Sequence, residues 1–172
     1  MKNLALLFLF LATSIQLANA QEVNNKNWTL IHEKTATWCP YCGTWGWDLK
    51  TQMINKFANN EVIFMAVHHS GDLNNPTATA FGDNFGGSAR PVFFVDGVNI
   101  NAHSGNIATS IENTSLEVDF KKEASTFAGV GITATLDEAT KTISAKAKVE
   151  FFSEVTSGDY YFGLYLLEDV QN

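Results

Sequence analysis

Cys39 and Cys42 are the only cysteines among 172 residues, and Pro40 and Tyr41 alone separate them. Sulfurs at that spacing can close a small disulfide across the first turn of a helix. There the unpaired backbone N–H groups and the helix dipole favour the thiolate of the leading sulfur. A thiolate attacks a disulfide and a thiol does not, so Cys39 reads as the attacking sulfur. Cys42, one helical turn on, can then resolve the mixed disulfide. The role asks that the Cys39 sulfur be open to water. Two plainer uses compete with it. A structural staple gains little here, because so short a loop removes little chain entropy from the unfolded state. Half of a zinc site would need a second cysteine pair or a spaced histidine pair, and neither is present.

The elements that must hold such a pair can be read around it. Trp28 to Thr35 suits a strand running into the cysteine turn. From Pro40, which suits a first helical position because its missing N–H is harmless there, the pattern turns helical. Cys42, Trp45, Leu49, Met53 and Phe57 recur at three- and four-residue intervals and would line one face. Glu61 to Val67 is a mostly apolar run of strand length, as expected of a strand covered on both faces. His68 and His69 follow it and would emerge at the sheet end carrying the cysteines, where they are either polarising groups or ordinary loop residues. Asn75-Pro76 reads as a helix cap and first residue, with a stop at Gly86-Gly87. Val92 to Val95, Asp96-Gly97 and Val98 to Ile100 read as a hairpin with a tight turn, and Asn106 to Ala124 as a last, weakly periodic helix.

Composition narrows the function class. Acidic residues outnumber basic ones 18 to 11, a formal net charge of −7. Phosphate binding needs clustered Lys and Arg, so nucleic acid is not an expected partner. Lys2, the apolar run Leu4 to Ala12 and the small residues of Ala18-Asn19-Ala20 form the three parts of a secretion signal. We therefore expect residues 1–20 to be a signal peptide, with no transmembrane span after its removal. Export would carry the cysteine pair to an oxidising compartment, where an isolated disulfide persists.

The order strand, CxxC, helix, strand, short helix, proline-led hairpin, helix resembles the thioredoxin fold over roughly residues 27–125. Trp38-Cys39-Pro40-Tyr41-Cys42 is similar to that superfamily's active-site loop, in the Cys-Pro-Tyr-Cys version of dithiol glutaredoxins. Arg90-Pro91, leading into Val92-Phe93-Phe94-Val95, resembles the cis-proline loop that lies beside the cysteines and binds substrate backbone. Glu33, six residues before Cys39, falls where thioredoxins carry a buried Asp and protein disulfide isomerases a Glu. The resemblance implies catalytic roles for Cys39, Cys42 and Glu33, the last as proton acceptor for Cys42. It implies substrate contacts for Trp38, Tyr41, Arg90 and Pro91, protein or peptide thiols and disulfides as partners, and neither cofactor nor metal. Arg90 departs from the small or aliphatic residue common before that proline. It would steady the Cys39 thiolate, grip an acidic group of a partner, or be an exposed loop arginine.

Beyond residue 126 the pattern changes. Val130 to Leu136 and Ile143 to Phe151 alternate apolar with polar about a turn at Asp137 to Thr140, and Tyr160 to Leu167 suits a third strand. The expected fold is thus α/β: a thioredoxin-like domain over 21–126, then an incomplete antiparallel β-sandwich over 127–172 that is truncated or pairs with another molecule. With its signal peptide and the stretch Ala66-Val67-His68-His69-Ser70-Gly71-Asp72, the whole resembles thioredoxin-like outer-membrane-associated proteins of Gram-negative envelopes. That implies a periplasmic or outer-membrane location and an envelope redox partner. The reading so far is of an exported thiol–disulfide oxidoreductase, set against a non-catalytic binding or surface module on the same scaffold.

Overall fold

The structure, a computed structural model, describes residues 22–58, 60–86 and 89–167. The signal peptide expected over 1–20 lies outside them. Its elements are β1 (Thr29–Ala36), a π-helical turn (Cys42–Gly46) running into α1 (Trp47–Phe57), β2 (Val62–Ser70), α2 (Pro76–Asn84), β3 (Val92–Val95), β4 (Val98–Asn99), α3 (Ile107–Glu123), β5 (Ala128–Asp137) and β6 (Thr142–Phe151). Four strands form one sheet in the order β2-β1-β3-β4, and β5 and β6 form a second. In the first sheet β1 runs parallel to β2 and antiparallel to β3, which pairs antiparallel with β4. That order and those directions are the thioredoxin-like arrangement.

Local chemistry accounts for the boundaries. The Asn75 side chain accepts from the backbone N–H of Ala78 at 2.9 Å, and Pro76 sits at the start of α2 as its fixed backbone permits. Asp96 and Gly97, both in the left-handed region (φ 49° and 83°), close the β3–β4 hairpin, a geometry that favours an Asp-Gly pair. On α1, Leu49, Met53 and Phe57 are buried at four-residue spacing. They pack with Ile31, Phe93, Val95 and Val118 into the main core between the sheet and the helices α1 and α3.

β1 is the strand on which the rest is built. It is buried along almost its whole length, polar residues included. Ile31 and Glu33 point to the α1 side, while His32 and Lys34 point to the α2 side, as the two-residue period requires. His32 lies in an aromatic box. It stacks on Phe94 at 4.6 Å and meets Phe85 at 4.5 Å and Phe81 at 5.1 Å, with no hydrogen-bond partner for either ring nitrogen. Burial lowers its pKa to about 4. The Lys34 ammonium instead donates to the carbonyls of Gly82 and Gly86 at 3.0 and 3.2 Å, and burial together with the Arg90 charge lowers its pKa.

Several expectations need correction. β2 extends to Ser70, so His68 and His69 belong to the strand and not to the loop beyond it. β2 is an edge strand and mostly half-buried, not covered on both faces. Pro40 precedes the helical turn, which begins at Cys42. Tyr160 to Leu167 joins no sheet; Tyr160 stacks on Phe127 at 5.8 Å and meets Phe151 at 5.2 Å, but the segment forms no ladder. An isolated strand gains little without a partner ladder and a covered face, and among the described residues most of the hairpin β5–β6 is exposed. Its paired residues Val130/Val149, Ile132/Ala147 and Leu136/Ile143 form an exposed apolar face.

A His32→Phe substitution tests the aromatic box. His32 takes up its proton less readily folded than unfolded, so its stabilising effect is complete above about pH 6.5 and is lost as pH falls toward about pH 4. Phe in the box removes that loss. Urea unfolding should show the variant's advantage over wild type growing by up to about 3 kcal/mol between about pH 7.5 and about pH 4. An advantage that does not change with pH would place the imidazole in water.

Candidate active site

The end of β1 delivers the cysteine turn. Cys39 N donates to Ala36 O at 3.2 Å, and Cys39 O accepts from the backbone N–H groups of Cys42 and Gly43 at 3.2 and 3.3 Å. Cys39 and Cys42 are joined in a disulfide with their Cα atoms 5.3 Å apart. The Cys42 N–H also lies 3.1 Å from the Cys39 sulfur and donates to it. In the reduced state that donor, at the start of a helical run, favours negative charge on Cys39 over Cys42. Gly46 N donates to Tyr41 O at 3.0 Å, a five-residue span that makes this turn π-helical.

The expectation of an open Cys39 sulfur is corrected. Cys39 is 7% exposed and Cys42 8%, so exposure does not rank the two. They share a small buried cluster with Ala36. The flanking side chains are the open ones: Trp38 is 60% exposed and Tyr41 66%. The turn buries both cysteines and leaves the two large rings beside them exposed.

The proline loop reaches the same place. The Arg90-Pro91 peptide is cis, and the Pro91 ring lies on Gly46, where a built Cβ would come within 2.7 Å of Pro91 Cγ. Gly46 follows Cys42 by four residues and lies on the same side of the turn. A glycine there is what allows the loop to close on the helix. Tyr41, Trp45, Arg90 and Pro91 line one groove with the β4–α3 loop, including Asn101 and His103. The Arg90 guanidinium lies 5.5 Å from the centre of the Trp38 ring and contacts His69 Nδ1, and His69 Nε2 lies 2.7 Å from Asp83 Oδ1. Arg90 is therefore held from two sides and is not a loose loop residue.

Glu33 lies beneath α1, 1% exposed, and its Oε2 has no hydrogen-bond partner. The Lys50 ammonium is 3.9 Å from that oxygen and 4.2 Å over the Trp47 ring. Burial pushes the Glu33 pKa up to about 7, against the opposing pull of Lys50 and of a hydrogen bond with Thr35. His68 pairs with Thr35 in register and so shares this face; burial, then Lys50, lowers its pKa. Among the described residues no group of three or more His, Cys, Asp and Glu side chains is placed to hold a metal. No described helix is long and apolar enough to cross a membrane.

No family model matches the chain, and no curated protein matches it. Among solved structures it is similar to a thioredoxin of Fasciola hepatica, determined by X-ray, at 22% identity over 52% of this chain and 83% of that one, with a TM-score of 0.35. The fold is thioredoxin-like on the chain's own strand order, and a cysteine pair at disulfide distance occupies the turn after its first strand.

Sequence reasoning passed over Lys50 and Asp83 as parts of the site, and it passed over Gly46. That glycine had a signal: it interrupts an apolar helical face one turn after Cys42, a position where lost side-chain packing points to a close neighbour. His69 and Asp83 carry no such mark, since their pairing depends on α2 folding back across β2.

Two substitutions test these contacts. At Gly43 a Cβ meets nothing within 4 Å, so Gly43→Ala should be neutral or stabilise by up to about 1 kcal/mol through helix propensity. Gly46→Ala should instead destabilise by roughly 1–2 kcal/mol because it overpacks Pro91. Equal effects in thermal unfolding would remove the Pro91 contact. Glu33 carries its proton more readily folded than unfolded, so the cost of burying it is absent below about pH 4.5 and complete above about pH 7. The advantage of Glu33→Gln over wild type should therefore grow by about 3 kcal/mol from about pH 4 to about pH 8. A flat difference would mean a solvated carboxylate.

Proposed function

We propose that the chain is an exported thiol–disulfide oxidoreductase acting on protein or peptide thiols and disulfides. One observation carries the reading: the Pro91 ring rests on Gly46, one turn beyond Cys42, so a peptide-sized groove opens beside the disulfide. A structural staple would need no such groove.

In the reducing direction the Cys39 thiolate attacks one sulfur of a substrate disulfide. That S–S bond breaks as the new one forms, and the departing substrate thiolate takes a proton from water. Glu33, as carboxylate and through water, accepts the Cys42 proton while Cys42 attacks the Cys39 sulfur. The mixed disulfide then breaks, the second substrate thiolate leaves, and the pair returns to the disulfide described above. Two electrons pass to the substrate. Read backwards, the same steps oxidise a dithiol, and the reduction potential of the pair sets the direction. A Glu33 pKa of about 7 suits a group that must take and return a proton near neutrality. Trp38 and Tyr41 shape the surface over the sulfurs, and the Arg90-Pro91 loop orients the substrate strand.

Export rests on Lys2, Leu4 to Ala12 and Ala18-Asn19-Ala20, and it supports a periplasmic or outer-membrane setting with an envelope redox partner. We read residues 21–126 as the redox domain and the hairpin β5–β6 as the start of a second, sandwich-like unit. A non-catalytic module is the second reading, favoured by the burial of both cysteines.

An insulin-reduction assay with dithiothreitol, run beside alkylation of the gently reduced protein, separates the two. Wild type should accelerate insulin precipitation, and Cys39→Ser should abolish it. Iodoacetamide should label Cys39 first. A disulfide that resists mild reduction, with no turnover, supports the module instead.

A further inference from the structure

The groove beside the disulfide has a charge opposite to that of the molecule. Acidic residues exceed basic ones by seven over the chain, yet no Asp or Glu lines this groove. Its ionisable walls are Arg90, His103 and Tyr41. Arg90 stands next to Pro91, at the end nearest the cysteines. Its guanidinium contacts His69 Nδ1, whose other nitrogen bonds Asp83, so His69 presents an acceptor to Arg90 and a donor to Asp83. The Trp38 ring flanks it on the active-site side. The buried Lys34 ammonium adds to the positive field from behind, and Asp83 is the carboxylate that opposes it there. At the far end His103 Nδ1 accepts from Gly105 N at 3.1 Å, which leaves Nε2–H as a donor. Arg90 in the wall of the trough, held by His69 and Trp38, together with an N–H donor on His103 further along, is an arrangement for carboxylates.

We propose that this groove selects extended peptides carrying Asp or Glu within a few residues of the target cysteine, with Arg90 as the residue that determines the choice. The proposal rests on the oxidoreductase reading and names its substrate class. A carboxylate next to the target cysteine meets Arg90, and one further along meets His103. Because Arg90 is already ordered by His69 and Trp38, little side-chain entropy is lost when it binds. The same positive end repels Lys- and Arg-flanked cysteines, so discrimination has a repulsive part as well.

Disulfide-linked fluorogenic peptides differing only in flanking residues (Asp/Glu, Ser/Ala, Lys/Arg) test it on the full mature protein. Wild type should reduce the acidic peptide with a kcat/KM roughly tenfold above the neutral one, the scale of one charge-assisted hydrogen bond, and the basic peptide should be slowest. The preference should shrink between about 0.05 M and about 0.5 M salt. Arg90→Gln should collapse the acidic-to-neutral ratio toward one. A residue that only steadied the Cys39 thiolate would slow every peptide by the same factor and leave the ratio intact. Should Arg90→Gln fail to fold, the wild-type peptide series, its salt dependence and a His103→Gln variant carry the same decision. Equal rates on acidic and neutral peptides overturn the selection while leaving the oxidoreductase reading in place. No turnover of any peptide overturns both.

Discussion

The contact of Pro91 with Gly46 is the constraint on which the site depends. It joins the residue just before β3 to the turn that begins at Cys42, and so ties β3 to the helical run that carries Cys42. Each partner is suited to it by a missing group. Gly46 lacks the Cβ that would collide, and Pro91 lacks an N–H that would need a partner at the start of a strand. Arg90, next to Pro91, lies between Trp38 and His69. The groove, the position of its one guanidinium and the exposure of Tyr41 beside it all follow from that closure.

β1 shows what the closure costs elsewhere. Three consecutive ionisable residues, His32, Glu33 and Lys34, are buried in a strand flanked on both sides by other strands. Each meets the loss of water differently. Lys34 keeps donors satisfied on the carbonyls of Gly82 and Gly86, His32 gives up its charge and stacks among phenylalanines, and Glu33 holds a proton up to about pH 7 under the partial influence of Lys50. The last two have opposite linkage: as pH rises, stability grows through the titration of His32 and falls through that of Glu33. Their effects oppose one another between about pH 4.5 and about pH 6.5. A purely structural strand would carry apolar residues at these positions.

The parts of this arrangement legible in the sequence were those written in local period and punctuation. The face Cys42, Trp45, Leu49, Met53, Phe57, the Asn75-Pro76 start of α2 and the Asp96-Gly97 turn each depend on residues within one or two turns of chain. The placement of Pro91 beside the cysteines depended on the order of whole elements, which the family resemblance supplied. What was not legible depends on packing between distant segments. The burial of Cys39, the extension of β2 over His68 and His69, and the Arg90–His69–Asp83 chain all arise where α2 and the proline loop fold against β2. The burial of His32 and Lys34 beside Glu33 was not legible either, because polarity along one strand says nothing of how many neighbours will cover it. Tyr160 to Leu167 failed in the opposite sense: its composition suits a strand, yet among the described residues no ladder receives it.

The burial of Cys39 changes where its reactivity must come from. An exposed thiol would owe its ionisation to water, which stabilises any thiolate equally and gives no reason to prefer the first sulfur over the second. Here both sulfurs are nearly equal in exposure, and the difference lies in the donors around them. The Cys42 N–H points at the Cys39 sulfur, and Cys39 stands just before the helical turn that begins at Cys42. In a site with little water those fixed dipoles weigh more than they would in bulk solvent. The sulfur with the donors is the better anion and the better leaving group, and the sulfur without them is the one that needs a base. The buried carboxyl of Glu33 lies on the α1 face of β1, the face against which the helix that follows the cysteine turn is packed.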